Sequence, residues 1–489
     1  MNRFQLLLLS FFLLIISSCK KDISTTELQG FPDAVGEIMV KKCATAGCHN
    51  DVSKAAAGGL SLETWDKLFQ GGSGGSTVIP YRADQSWLCY FVNTYQDLGV
   101  KLSPTMPVNQ PKLSHDEVVL LQNWVNEGAP SVTGKVAFSG DTNRNKYYIT
   151  NQGCDIITVF DTQSKLAMRY MDAGIIPGVI EVPHNIKISP DGKFLYVIFA
   201  AGSVIQKFSS VTDSLIGQID ISQGSWNTFT ISPDGKYAFI VDFNPNGRIA
   251  YVDLDNLTLI KMYSAATLFV NPHGITATAD FKTLYVTSQY GNYILKIDVT
   301  NPFLPDIQQI VIAPGETANN NNGTYDPHEV AISPDETKYF VSCQASNEVR
   351  VFQRSNDSLI KIISVGSFPL ELAFSHKYPY VFVTCEEDPT GSLSFKGSLY
   401  VIDYNSLDVV KVLQNNLSEP HGIGVDDKND LVIIPSRNIS PIGPAPHHTS
   451  TCGGRNGYVQ LVDLRTLEFI PNYKAEVSVD PYQVAVKNQ

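Results

Sequence analysis

The sequence has no surplus of basic residues: 36 lysines and arginines face 48 aspartates and glutamates, for a net charge of −12. Without a basic block it has little to neutralise a run of phosphates, which argues against nucleic acid as a partner. It also lacks an apolar run of the ~20 residues that span a bilayer. The stretch from Leu6 to Ile16 comes nearest and has the length of a secretory core. There is no H-E-x-x-H helix and no G-x-S-x-G elbow between a strand and a helix, so nothing supports a hydrolase. Disorder is excluded too, because apolar residues make up 43% of the chain and recur in short runs along it. With 489 residues there is material for two cores.

The N-terminus reads as an export signal. "MNRFQLLLLSFFLLIISSC" has Arg3 in a polar start, then the apolar run, and ends in Ser17-Ser18-Cys19. That ending resembles a bacterial lipoprotein box, which implies residues 1–19 as signal peptide, acylation of Cys19 and residues 20–30 as tether. The expected location is outside the cytoplasm, periplasmic or at the cell surface, with the membrane a partner through the lipid anchor. Such a compartment also permits disulfides.

The haem signature C-x-x-C-H is missing, but "KKCATAGCHN" places Cys43, Cys48 and His49 within seven residues. Covalent haem needs two thiols for thioethers and a following imidazole for iron. These residues supply both if Ala44-Thr45-Ala46-Gly47 bulges outward, for which glycine is suited. From the spacing alone, a disulfide and a haem anchor both stay open.

Residues downstream favour haem. Met106 lies in a proline-flanked loop, and Ser114 with Glu117 forms the capping box of a helix striped by Val118, Leu121 and Val125. Residues 31–131 resemble the small cytochrome c domains fused to other domains in exported bacterial proteins. "CATAGCHN", "GGLSLETWDKLFQGGSGG", "VIPYRADQSWLCYFV", "TMP" and "LSHDEVVLLQNWVNEGAP" carry the resemblance. It implies haem c on Cys43 and Cys48, with His49 proximal and Met106 distal. His115 is a rival ligand, expected to face solvent.

From about residue 135 a unit repeats every 43–50 residues, the period of a propeller blade. "PHNIKISPDGKFLYVIFA" at 183 returns as "NTFTISPDGKYAFIVDF", "PHGITATADFKTLYVTSQ" and "PHEVAISPDETKYFVSCQ". Looser copies follow at 369 and 420, and "PYQVAV" at 481 is one more inner strand that would close onto the first hairpin. Residues 135–489 thus resemble the YVTN or YncE-like seven-bladed β-propellers. The expected organisation is multidomain: a small all-α cytochrome c domain followed by an all-β seven-bladed propeller.

Aligned, the residues opening the inner strands are His184, Asn227, His273, His328, Leu370, His421 and Tyr482. Equivalent positions lie at one height around the axis, so the four histidines should converge on one channel mouth. An insertion in the last blade adds His447, His448 and Cys452, while Cys343 and Cys385 end second strands toward the same face. Converging imidazoles suit copper or another transition metal in the propeller. Equally open is a structural role, each ring bonding the backbone of the next blade. His376 in a turn and the acids of "SPDG" carry no functional weight.

Two functions follow. One is a membrane-anchored extracytoplasmic c-type cytochrome, a candidate oxidoreductase, carrying electrons to or from a redox substrate, partner protein or metal centre at the propeller mouth. The other is a non-catalytic docking propeller with the haem as a simple relay.

Overall fold

Each repeat forms a hairpin for a local reason. The Ser189 hydroxyl donates to Asp191 at 2.6 Å and accepts the Phe194 N–H at 3.0 Å. Ser232, Thr278 and Ser333 repeat the contact with Asp234, Asp280 and Asp335. The acids of "SPDG" therefore close turns. Asp161, Asp253 and Asp403, which end third strands, likewise accept main-chain N–H groups two or three residues on.

The computed structural model describes residues 28–265, 267–389, 395–437, 452 and 457–487. Seven antiparallel sheets form, one per blade, and the chain is a seven-bladed β-propeller. Six sheets use consecutive strands. The remaining one pairs the C-terminal Pro481–Lys487 with Lys146–Asn151, in the register Lys146↔Lys487 and Ile149↔Val484. The ring is thus closed by its own C-terminal strand, which removes open sheet edges. A disulfide between Cys154 and Cys452, 298 residues apart, joins the last blade to the first.

Inner strands stand where the repeats place them, with one difference. In the last full copy the strand is only Gly424–Asp426 and begins after His421. Here the chain leans on the closing strand instead: Gly422 donates its N–H to the Tyr482 carbonyl at 2.8 Å. A Cβ on Gly422 would meet that carbonyl oxygen at 2.2 Å.

The expected all-α cytochrome c domain is not what the N-terminal residues form. They hold four short helices: α1 (Asp33–Ile38), α2 (Trp65–Leu68), α3 (Trp87–Val92) and α4 (His115–Asn126). Loops make up the rest, and the architecture is nearly all β. Helices cannot extend through "GGSGG", where Gly71 and Gly75 take positive φ, nor through the prolines at 104, 107 and 111. Only α4 is long, and both halves of its Ser114–Glu117 capping box are made.

This N-terminal segment has an apolar centre around Phe31, Met39, Trp65, Leu121 and Val125. It is also fastened to the propeller. Glu476 donates its N–H to the Gly74 carbonyl at 2.9 Å, and the Ser76 hydroxyl bonds the Ala167 carbonyl at 2.6 Å. Arg82 pairs with Asp172 at 2.9 Å, while Ile79 enters the propeller core beside Tyr147 and Ala475.

Candidate functional site

Two places gather the candidate residues. The first is a cavity of about 500 Å³ in the N-terminal segment. Cys43, Cys48, His49 and Met106 all line it, among Leu60, Leu62, Trp87, Leu88, Phe91 and Val92. Cys43 ends a π-helical turn that continues α1, and the loop to His49 is closed by a bond from the His49 N–H to the Cys43 carbonyl at 3.1 Å. Gly47 sits in that loop at φ +80 with no atom near its would-be Cβ. The two cysteines are not joined to each other.

Burial pushes the Cys43 thiol up to about 12, with Cys48 adding to the rise. Burial lowers the His49 pKa, opposed by the Leu60 backbone. Its buried Nδ1 makes no hydrogen bond of ordinary geometry. Met106 is held by its N–H to the Phe91 carbonyl at 2.7 Å. The opposite wall is bare backbone from Gly72 to Gly75, where a Cβ on Gly74 would lie 2.5 Å from the Trp87 ring. Sulfur and imidazole donors in an apolar slot of this size could hold one flat cofactor. His115 lies outside the cavity, paired with Asp97 at 2.8 Å.

The second place is the propeller mouth. His184, His273, His328 and His421 come together with Tyr482, each nine-tenths or more buried. Ring centroids lie 6.1 Å apart for His184–His273, 3.9 Å for His273–His328, 5.4 Å for His328–His421 and 6.3 Å for His421–His184. Burial lowers the pKa of His273 to about 4, and those of His328 and His421 also fall. Burial thus favours the neutral form of these three rings. Nδ1 of His273, His328 and His421 is buried without a hydrogen bond. The following blade's backbone, at His328 and Leu370, still raises the basicity of His273 and His328.

A second ring lies at the ends of the second strands: Gln152, Ala200, Phe243, Gln289, Gln344, Glu386 and Arg437. Gln152 bonds His184 Nδ1 at 2.7 Å, Gln289 bonds Gln344 at 2.8 Å, and Arg437 bonds Glu386 at 2.7 Å. The repeat alignment that finds the histidines also finds these positions, but their chemistry is too mixed to read as a motif. Half-buried Lys187 attracts buried Glu329 and Glu371, and burial lifts Glu371 to about 7.

Other candidates fall elsewhere. Cys343 and Cys385 are fully buried in blade cores, and the Cys452 thiol is spent in the disulfide, so no thiol joins the mouth among the described residues. Cys19, His447 and His448 lie outside the described residues. Among the described residues, no three His, Cys, Asp or Glu side chains are arranged, as they stand, to hold a metal ion.

No protein-family model matches the chain, and neither does any curated protein. Solved structures do. Hydrazine synthase from Kuenenia stuttgartiensis aligns with 64% of this chain and 93% of its own, at 17% identity and TM-score 0.50. A functionally unknown protein from Desulfotomaculum acetoxidans DSM 771 aligns with 70% and 98%, at 12% identity and TM-score 0.54. Dihydro-heme d1 dehydrogenase NirN in complex with DHE aligns with 85% and 94%, at 11% identity and TM-score 0.49. At these identities the likeness is one of fold.

Proposed function

We propose that the chain is an extracytoplasmic electron-transfer protein carrying one covalent haem c in its N-terminal segment, with the propeller mouth as the face for a redox substrate or partner. The observation that carries this reading is that a single apolar cavity gathers Cys43, Cys48, His49 and Met106. Bound there, haem c supplies a one-electron iron couple. Cys43 and Cys48 would supply the two thioethers, and Gly47 suits the turn that a four-residue gap needs. Burial keeps His49 in the neutral form that can ligate iron. Met106 offers the second axial ligand, and two protein ligands favour electron transfer over substrate chemistry at iron. Trp87, Leu88, Phe91 and Val92 exclude water, which favours the higher potentials of such sites. Attachment to a membrane through Cys19 is part of the same proposal and rests on the residues before the tether.

The test is expression of the full chain in a host able to attach haem c. Expected are haem retained after denaturation and acid–acetone extraction, and an absorption band characteristic of thioether-linked haem in pyridine. Haem that extracts freely, or none bound, overturns the reading. Globomycin sensitivity of processing tests the lipid anchor.

A second reading, a docking propeller with the haem as relay, draws on the apolar side chains exposed at Ile175, Ile176, Val179 and Ile180 before the inner strand of His184. It predicts partner binding that is weakened by Ile176→Ser and Val179→Ser, and no turnover.

A further inference from the structure

The mouth of the propeller leaves three ring nitrogens without a hydrogen bond of ordinary geometry. Nδ1 of His273, His328 and His421 are buried and unbonded within one cluster. A buried polar atom without a partner costs about 1–3 kcal/mol, so three side by side call for a common ligand. The ligand's chemistry follows from the surroundings. Glu371 Oε1 lies 3.9 Å from His421 Nδ1. Unbonded imidazole nitrogens gathered in one buried cluster are donors for a transition-metal ion.

The geometry points to one divalent, imidazole-preferring transition-metal ion, copper(II) or zinc, bound by His273, His328 and His421 with His184 beside them. Two imidazoles on one ion, each with a metal–nitrogen bond of about 2.0–2.1 Å, place their centroids roughly 5–6 Å apart. The His328–His421 and His184–His273 separations, 5.4 and 6.1 Å, match that spacing. His273 and His328 do not, at 3.9 Å, so binding requires one of those rings to turn out of the stack. Two rings are already steadied through their other nitrogen. Tyr482 OH lies 2.5 Å from His421 Nε2, and Gln152 lies 2.7 Å from His184 Nδ1, the arrangement of groups that orient metal-bound histidines. With Cys343 and Cys385 in blade cores and Cys452 in a disulfide, the donor set is nitrogen, which suits copper(II) and zinc. Magnesium and calcium, which seek oxygen, are excluded.

The site is distinct from the haem cavity, and its test is independent of it. Full-length, haem-loaded protein is stripped with EDTA and titrated with Cu²⁺, Zn²⁺ and Mg²⁺. Expected are one Cu²⁺ or Zn²⁺ per chain, Cu²⁺ the tighter, no Mg²⁺, and nitrogen couplings in the Cu²⁺ electron paramagnetic resonance spectrum. His273→Ala with His328→Ala should weaken binding at least about 100-fold, and Tyr482→Phe by about 10–100-fold. His447→Ala with His448→Ala should leave the ion bound. No uptake by the unsubstituted chain overturns the proposal. So does binding unchanged in Tyr482→Phe and the double variant, or binding lost with His447 and His448. Should the double variant misfold, the unsubstituted stoichiometry and Tyr482→Phe decide. Cys43→Ser with Cys48→Ser removes the haem alone, so failure of the haem reading leaves the metal result standing.

Discussion

The Tyr482 hydroxyl lies 2.5 Å from Nε2 of His421, with the two rings stacked at 3.8 Å. His421 opens the last full repeat, while Tyr482 belongs to the strand that closes the ring. One contact therefore ties the seam of the propeller to its mouth. Tyr482→Phe keeps the ring and removes the bond, stranding a buried imidazole nitrogen. It should cost about 1–3 kcal/mol in chemical denaturation, with an unchanged circular dichroism spectrum.

Gly74 faces the Trp87 ring across the edge of the N-terminal cavity. A Cβ there would sit 2.5 Å from that ring, and Gly74 is also bonded to Glu476 of the propeller. Gly74→Ala should therefore displace Trp87 and lower haem occupancy several-fold. Propeller melting should move little, because the clash lies outside the blades. Haem-to-protein absorbance and calorimetry check both halves.

Arg437 is a buried cation held by two acids. Nε bonds Asp480 at 2.6 Å and Nη1 bonds Glu386 at 2.7 Å, and the guanidinium lies 5.0 Å from the Tyr482 ring centroid. Asp480 precedes the closing strand, so the cluster ties the last full repeat to the seam. Arg437→Met removes the guanidinium that bonds both carboxylates and should cost about 3–5 kcal/mol, measured by denaturant unfolding.

Asp155 accepts the Glu181 and Val182 N–H groups at 2.6 and 2.9 Å, yet burial raises it to about 6. Unfolded, it releases its proton near 4. Between those values the folded chain binds the extra proton, so this contribution is full below pH ~4 and fades as pH rises through about 6. Asp155→Asn should therefore gain stability relative to the unsubstituted chain between pH 4 and 7. Denaturation midpoints measured across that range give the slope.

The repeat made the blades legible because turn chemistry is local: a hydroxyl residue and an aspartate two positions on close the hairpin wherever they recur. Histidines at one repeat position were legible as a cluster because rotational equivalence turns a sequence register into a shared height. The ring of Gln152, Gln289, Gln344, Glu386 and Arg437 obeys the same rule and was missed, since no single residue type advertises it. The capping box of α4 was read correctly, but the residues around it were not an all-α domain. Short apolar stretches between glycines and prolines adopt whatever their neighbours impose.

By itself the sequence determined the number of blades, the closing strand and the residues that could meet at the N-terminal cavity and the mouth, because turns, periodicity and register are local or repeated properties. Only the tertiary structure decided that Cys154 finds Cys452 across 298 residues, that Gly74 bonds Glu476, and that Tyr482 stands against His421. Those contacts depend on bringing together distant segments when the ring closes. No local propensity encodes which distant partner a side chain meets.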